Sequence, residues 1–347
     1  MGSLPRSPQP VVVAPPLLDA MRLRIDRGEQ SLVLLNRRGY APVLHCGACD
    51  WKSGCPHCSA WRVFHKADRT LRCHHCGFTE RVPRACPDCG NLDIAAVGRG
   101  TERLEEHLAA LLPRARIARI DADSTRLKGS LEAQLGAVHA GAVDVLVGTQ
   151  MVAKGHDFRR MTLVAALNPD GALFSSDFRA PERLFALLMQ AGGRAGRDAV
   201  QGAGSEMWVQ TMHPAHPLFA ALARHDFGAF AATQLAERES AGLPPFASLA
   251  LLRAEAKEAA AAAAFLHAAA AHAATLPQVH GVTVFPPVPP PISRVAGIER
   301  MQMLVESPSR AALQRLLAAW LPALAPLGKQ KAHRVLRWAV DVDPLAI

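Results

Sequence analysis

All eight cysteines of this 347-residue chain lie between residues 46 and 89. They form four C-x-x-C pairs, which are Cys46/Cys49, Cys55/Cys58, Cys73/Cys76 and Cys86/Cys89. A C-x-x-C turn places two thiolates on one side of a tight loop, which suits two corners of a zinc tetrahedron. Four pairs predict two zinc sites with four cysteine ligands each, and saturated sites of this kind are structural rather than catalytic. Disulfide bonds are the alternative, and the lack of a secretory signal argues against them.

The four pairs can be shared between two metals in three ways. Only five residues separate the first two pairs, which is a short connection for wrapping one metal. The fourteen residues between the second and third pairs fit two-knuckle zinc spacing and read as strand, turn, strand. A β-ribbon there would join those two pairs, so we predict a nested arrangement, with an interleaved one as the alternative. In the nested arrangement, site 1 is Cys46, Cys49, Cys86 and Cys89, and site 2 is Cys55, Cys58, Cys73 and Cys76.

Composition and charge set wider bounds. Half of the residues are apolar, so a chain of this length can bury a large core and form two or three domains. The formal net charge is +9, and two zinc ions bound by eight thiolates would lower it to about +5. This charge is compatible with a phosphate-bearing partner. The apolar runs at residues 11–14 and 259–264 are too short for a signal or a membrane span, so we expect a cytoplasmic protein.

Strand and helix patterns alternate on both sides of the cysteine-rich stretch. After a loose, proline-rich segment at residues 1–16, the pattern predicts a helix over 17–30 and a buried strand over 31–36. Strand and helix patterns resume over residues 101–210, which indicates a parallel sheet covered on both faces. We predict one α/β domain from residues 17–43 and 92–240, with a zinc module of residues 44–91 inserted into it.

From about residue 249 the predicted order of elements changes to β-α-β-β-α-β, the ferredoxin-like plan. The predicted strands cover residues 249–255, 281–285, 300–306 and 335–342. The predicted helices cover residues 257–275 and 309–324, and the prolines of 286–291 form an irregular connection. We therefore predict an α+β C-terminal domain over residues 241–347.

Two loops of the α/β domain carry residues that suit phosphate contacts. Residues 148–158, G-T-Q-M-V-A-K-G-H-D-F, follow a predicted strand, and residues 190–197, Q-A-G-G-R-A-G-R, end a predicted helix. Glycines let the backbone approach a ligand closely, and guanidinium groups bind phosphate oxygens. A glycine helix stop with solvated arginines is the simpler interpretation of the second loop. The string Q-x-x-G-R-x-G-R is specific enough to favour a phosphate site.

These loops, the cysteine spacing and four further strings resemble the PriA family of primosomal replication-restart helicases. The further strings are N-R-R-G-Y at residues 36–40, D-F-R-A-P-E-R at 177–183, A-G-L-P-P-F at 241–246 and W-A-V-D-V-D-P at 338–344. The similarity runs in order from about residue 17 to the last residue. It implies a RecA-like second helicase lobe, a two-zinc insertion with nested pairing, and a C-terminal DNA-binding domain.

The resemblance also implies a function and its residues. The family recognises stalled forks, unwinds DNA 3′ to 5′ with ATP and helps reload the replicative helicase. The implied partners are branched or single-stranded DNA, other primosome proteins and single-stranded-DNA-binding protein, for a monomer without membrane contact. Arg194 and Arg197 would be arginine fingers to the γ-phosphate, with Gln190 in the same hydrolysis network. The residues implied in DNA contacts are Thr149, Gln150, Lys154, Arg37 and Arg38.

Two nucleotide-binding motifs of that family are missing from these residues. A phosphate loop requires G-x-x-x-x-G-K-[ST], but the only lysine followed by serine or threonine is Lys52, inside the zinc module. The sequence also lacks an Asp-Glu dipeptide for magnesium. We therefore expect no ATPase activity from this chain alone, and ATP and Mg²⁺ would bind only if the first helicase lobe is supplied. The alternatives are a non-enzymatic zinc module that binds DNA and primosome proteins, or a truncated reading frame without function.

Overall fold

The chain separates into two compact units in a computed structural model. The structure describes residues 13–35, 43–49, 51–65, 69–73, 75–97, 101–121, 124–125, 129–150, 152, 158–175, 177–195, 204–331 and 333–345. The first unit is Met1–Tyr40 with Arg99–Phe230, and the second unit is Ala41–Gly98 with Ala231–Ile347. Among the described residues, no helix is both long and apolar enough to cross a membrane.

The elements are numbered in chain order. The helices are α1 (Pro15–Asp26), α2 (Thr101–Leu111), α3 (Ser130–His139), α4 (Asp170–Leu173), α5 (Ala180–Gly192), α6 (Pro217–Ala223), α7 (Phe227–Ser240), α8 (Ala259–Thr275) and α9 (Arg310–Lys329). The strands are β1 (Gln30–Leu35), β2 (Val43–Cys46), β3 (Val63–His65), β4 (Thr70–Arg72), β5 (Thr79–Arg81), β6 (Ile94–Val97), β7 (Ile117–Ile120), β8 (Val145–Gly148), β9 (Met161–Leu167), β10 (Glu206–Gln210), β11 (Ser248–Ala256), β12 (Thr283–Val284), β13 (Arg294–Val295), β14 (Ile298–Ser307) and β15 (Val335–Val342).

The first unit is built on a sheet of parallel strands in the order β10-β9-β1-β8-β7. Strand β9 reads M-T-L-V-A-A-L, and every one of its residues is buried. Continuous apolar runs of this kind are typical of parallel strands that are covered on both faces. Strand β1 lies between β8 and β9, so the segments before and after the zinc module contribute to one sheet.

Neighbouring residues of the central strands face different apolar layers. Val33 and Leu163 pack with side chains of α1 and α2. Leu32 and Val164 point the other way and pack with side chains of α3 and α5. The predicted parallel sheet with two covered faces is therefore confirmed.

Some elements of the first unit differ from the predictions. Helix α1 ends at Asp26 instead of continuing to Gln30, because Gln30 is already a strand residue whose N–H donates to the Arg160 carbonyl at 2.8 Å. The sequence patterns also missed α7, and they missed α4 and α6, which are only four and seven residues long. Such short helices carry too little periodicity to be predicted.

The C-terminal domain has the predicted order of strands and helices, with the short strand β13 added. Its antiparallel strands are arranged β12-β14-β11-β15. Helices α8 and α9 cover one face of this sheet, where Trp320 is fully buried and its Nε1 donates to the Ala269 carbonyl at 2.9 Å. Helix α9 passes the predicted end at Leu324, because Leu327 still packs against the same core.

Short strands organise the zinc module. Strands β3 and β4 pair antiparallel, which confirms the ribbon predicted between the second and third cysteine pairs. Strand β5 adds a third strand that the sequence did not predict. Strands β2 and β6 also pair, with Cys46 opposite Ile94, so the chain enters and leaves the module side by side.

Candidate metal centres and ligand loops

The four cysteine pairs adopt a common turn. In each pair the backbone N–H of the first cysteine donates to the carbonyl of the residue five positions later, at 2.7–2.8 Å. In the first pair, the Ala48 nitrogen also lies 3.4 Å from the Cys46 Sγ. In the second pair, the His57 nitrogen lies 3.4 Å from the Cys55 Sγ. Donors that point at sulfur favour the thiolate over the thiol, which is the form that binds zinc.

The structure brings the eight cysteines together as two groups of four. These groups are sites 1 and 2 in the nested arrangement, and within each group the ligand atoms all lie within 4.8 Å of one another. The Sγ–Sγ separations are 3.6 Å for Cys46/Cys89, 3.4 Å for Cys49/Cys86 and 3.7 Å for Cys55/Cys76. Zinc–sulfur bonds of about 2.3 Å place the corners of a tetrahedron about 3.8 Å apart. The donor type, number and spacing therefore fit two Zn²⁺ ions, and all eight cysteines are free of disulfides.

The thiols within each site do not ionise equally. A hydrogen bond from the Ala48 N–H is the main cause that lowers the pKa of Cys46 to about 6. The Phe78 N–H is the main cause that lowers the pKa of Cys76 to about 7. Burial raises the pKa of Cys58 to about 12. Each site therefore offers a thiolate near neutral pH, and zinc binding displaces protons from the remaining thiols.

The surroundings of the two sites differ. In site 1, Cys49 and Cys89 are exposed, and the Asn91 side chain lies 3.7 Å from the Cys46 Sγ. In site 2 three of the four cysteines are buried, and the site packs against Phe78 and Val295. Sequence reasoning missed Val295, because the cysteine spacing carries no signal for a contact more than 200 residues away.

The residues predicted to bind DNA in the first loop follow strand β8. Thr149 and Gln150 come directly after its carboxyl end, where Gln150 is exposed. The carboxyl end of a parallel sheet is the edge at which open α/β folds bind ligands. The other three predicted DNA-contact residues, Arg37, Arg38 and Lys154, lie outside the described residues.

The residues predicted to contact phosphate lie at the end of α5. Gln190 is exposed on the last turn, Arg194 is half-buried just beyond the helix, and Arg197 lies outside the described residues. A Cβ atom on Gly192 would approach the Met207 Sδ to 2.8 Å, beside the amino-terminal half of β10. Gln190 and Arg194 therefore lie at the carboxyl end of α5, next to β10, whereas Thr149 and Gln150 follow the carboxyl end of β8.

The string at residues 177–183 forms the start of α5. The Asp177 carboxylate accepts a hydrogen bond from the Arg179 N–H at 3.0 Å and another from the Arg183 guanidinium. The Arg179 guanidinium also lies 4.5 Å from the centre of the Phe178 ring. These contacts within the string show that it fixes the beginning of the helix whose other end carries Gln190.

Two protein-family models match the second unit. Residues 239–345 match the Primosomal protein N C-terminal domain, and residues 55–81 match the PriA DNA helicase Cys-rich region (CRR) domain. The second match contains all four cysteines of site 2, so the geometry and the family model agree on a metal-binding Cys-rich region.

Curated relatives match almost the whole chain. Each of the following three is named Replication restart protein PriA. The protein from Haemophilus influenzae is 44% identical over 329 residues, which are 95% of this chain and 44% of the relative. The protein from Treponema pallidum is 37% identical over 345 residues, 98% of this chain and 50% of the relative. The protein from Bacillus subtilis is 36% identical over 332 residues, 94% of this chain and 40% of the relative.

The fold and the metal centres define a mixed α/β protein with a two-zinc Cys-rich region and a primosomal C-terminal domain. The chain belongs to the PriA family and carries these two domains of it. It spans about half the length of the curated relatives that it matches.

Proposed function

We propose that this chain acts in DNA replication restart as the C-terminal part of a PriA-type, 3′-to-5′ ATP-dependent helicase. The observation that carries the proposal is the pair of four-cysteine sites within a chain that is similar to replication restart proteins over 95% of its length. In this role it would recognise stalled forks through branched or single-stranded DNA and help reload the replicative helicase. Other primosome proteins and single-stranded-DNA-binding protein would be its partners in the cytoplasm, with the chain as a monomer.

The proposal assigns a task to each domain. The α/β domain, residues 17–43 with 92–240, would be a RecA-like second helicase lobe, and its five parallel strands with helices on both faces support this. The zinc module at 44–91 would hold a rigid β-ribbon for DNA and partner contacts. The C-terminal domain at 241–347, ferredoxin-like in its order of elements, would bind DNA.

Within the α/β domain, the residues at the end of α5 and those after β8 would have different roles. Arg194 and Arg197 would act as arginine fingers, with Gln190 in the same hydrolysis network, and such a finger is worth roughly a thousandfold or more in rate. Thr149 and Gln150, with Lys154, Arg37 and Arg38, would contact DNA. The position of Gln190 at the carboxyl end of α5 and that of Thr149 after the carboxyl end of β8 support this division.

The chain by itself would bind DNA without hydrolysing ATP. This second candidate function, a non-enzymatic zinc-dependent DNA- and partner-binding module, is favoured by the lack of a G-x-x-x-x-G-K-[ST] string in these 347 residues. The β-phosphate and the magnesium ion of ATP would then have no cradle within these residues.

Forked DNA and two matched double variants test these proposals. Fluorescence anisotropy of the purified chain should show binding to forked DNA. The logarithm of the binding constant should fall linearly with the logarithm of the salt concentration. Arg37→Ala/Arg38→Ala should weaken that binding, whereas Arg194→Ala/Arg197→Ala, which removes the same charge, should leave it nearly unchanged. An absence of salt-dependent fork binding would contradict both candidate functions. DNA-stimulated ATPase activity of the chain above that of Arg194→Ala/Arg197→Ala would contradict the second.

A further inference from the structure

A hairpin of the C-terminal domain abuts site 2. Strand β13 pairs with the beginning of β14, with Val295 opposite Ile298. The two residues of the turn, Ala296 and Gly297, have φ angles of +52° and +76°. Glycine adopts such angles readily, but alanine does so at a cost, because its Cβ crowds the backbone. The turn at Ala296 therefore needs support from its surroundings.

The knuckle of the second cysteine pair supplies this support. The Ala296 N–H donates to the Cys58 Sγ at 3.3 Å. The Gly297 N–H donates to the carbonyl of His57, the residue just before that cysteine, at 2.8 Å. Both N–H groups of the turn are therefore directed at one zinc knuckle.

The contact extends along the strand that leads into the turn. The Ser59 N–H donates to the Arg294 carbonyl at 3.0 Å, and the Arg294 N–H donates to the Ser59 Oγ at 2.9 Å. The Val295 side chain packs against Cys55, Cys58 and Cys73. Segments that are distant in sequence thus share hydrogen bonds and an apolar contact around one metal site.

Charge makes the contact depend on the metal. Four thiolates around one Zn²⁺ carry a net charge of −2, and N–H donors to the sulfurs stabilise this charge and orient the ligands. For site 2 one such donor is Ala296, from the C-terminal domain. For site 1 the donors within the described part of the chain, such as Ala48 and Asn91, come from residues 44–91 themselves.

We propose that zinc at site 2 fixes the conformation of the hairpin at residues 293–299, and that the hairpin in turn holds the zinc. This coupling is reciprocal, because two contacts that stabilise each other do so by the same free energy. Among the described residues, no sulfur of site 1 accepts a hydrogen bond from the C-terminal domain, so we expect no such coupling there. The proposal rests on zinc binding and is independent of a role in replication restart.

Amide exchange, measured by NMR on the whole chain, tests the proposal. Cys73→Ser breaks site 2 but leaves the Cys58 sulfur in place, and Cys86→Ser breaks site 1 as the matched control. The amides of Ala296 and Gly297 should exchange about tenfold faster or more in Cys73→Ser and at the wild-type rate in Cys86→Ser. Amides within α8 report whether the C-terminal domain stays folded. Unchanged exchange of the hairpin amides in Cys73→Ser, or equal acceleration in both variants, would overturn the coupling.

A reciprocal experiment covers the case in which Cys73→Ser unfolds the domain. Ser59→Ala/Val295→Ala weakens the hairpin contact and keeps all eight cysteines, and the control Ser240→Ala/Val340→Ala makes the same two kinds of change in α7 and β15. In the first variant one of the two zinc ions should pass to a chelator about tenfold faster, as expected when outer contacts of a metal site are lost. The other zinc ion, and both ions in the control, should leave at the wild-type rate. Wild-type release of both ions from the first variant would refute the proposal.

Discussion

The first unit and the zinc module are stabilised by different means. The parallel sheet of the first unit is covered on each face by an apolar layer, and strand β9 is buried along its whole length. In the described part of the zinc module, the buried apolar side chains other than cysteine are few: Leu44, Val63 and Leu71. A module with so small a core depends on its metals, as other small zinc-binding modules do. One chain can therefore combine a part that folds by apolar burial with a part that folds by metal binding.

Zinc removal should therefore produce the largest effect on the molecule, within the zinc module and the hairpin at residues 293–299 that contacts it. A structural zinc contributes about 10 kcal/mol or more in small zinc-binding peptides. We expect a strong chelator to abolish the amide protection of β3 and β4 while β9 in the first unit stays protected. Hydrogen exchange of the whole chain before and after chelation measures both regions in one sample. If β3 and β4 kept their protection without zinc, the module would not depend on metal.

A smaller difference separates the two zinc sites. Cys89 in site 1 is exposed, whereas Cys58 in site 2 is buried and accepts a hydrogen bond from the Ala296 N–H of the hairpin. With limited chelator and iodoacetamide present, alkylation should reach Cys89 before Cys58, because the reagent attacks accessible thiolates. Mass spectrometry of peptides over time gives the order. Simultaneous alkylation of the two cysteines would mean that burial does not distinguish the sites.

The smallest predicted effect concerns an ion pair of the first unit. The Asp144 carboxylate accepts hydrogen bonds from the Arg116 side chain at 2.6 and 3.0 Å and from its backbone N–H at 2.7 Å. The hydrogen bonds from the Arg116 side chain are the main cause that lowers the pKa of Asp144 below its ordinary value. Because Arg116 is largely exposed, we expect Asp144→Asn to cost only about 1 kcal/mol at pH 7.

The sign of this effect follows from the lowered pKa. A carboxylate with a lowered pKa stabilises the folded state above its unfolded pKa of about 3.9, and this contribution is lost as the pH falls through the folded value. The difference in melting temperature between wild type and Asp144→Asn should therefore be present at pH 7 and shrink below about pH 4. The zinc content should be the same in both proteins. A difference that grows in acid would contradict this account of Asp144.

The sequence predicted the parts of this molecule that depend on local spacing and periodicity. The fourteen residues between Cys58 and Cys73 predicted the β-ribbon, and the apolar run at residues 31–36 predicted β1. The β5 strand was missed because Thr79–Arg81 is exposed and has no apolar alternation. The support of site 2 by Ala296 was missed because a backbone N–H leaves no mark on the residue type that supplies it.

The candidate phosphate-contact and DNA-contact residues also show that local sequence patterns do not predict tertiary placement. The strings at residues 148–158 and 190–197 identified which residues carry the resemblance, and the predicted strand and helix before them are confirmed. The places of the two strings on the sheet depend on strand order and on the contact of Gly192 with β10. Neither is encoded in a short string, so the sequence alone could not predict where these residues lie.

The central claim is that the eight cysteines form two separate zinc sites with nested pairing, and zinc counting in double variants tests it most directly. Cys46→Ser/Cys86→Ser places both changes in site 1, and Cys46→Ser/Cys73→Ser divides them between the two sites. Native mass spectrometry should find two zinc ions per wild-type chain, one in the first variant and none in the second. One zinc ion in Cys46→Ser/Cys73→Ser and none in Cys46→Ser/Cys86→Ser would instead establish the interleaved pairing and contradict the account.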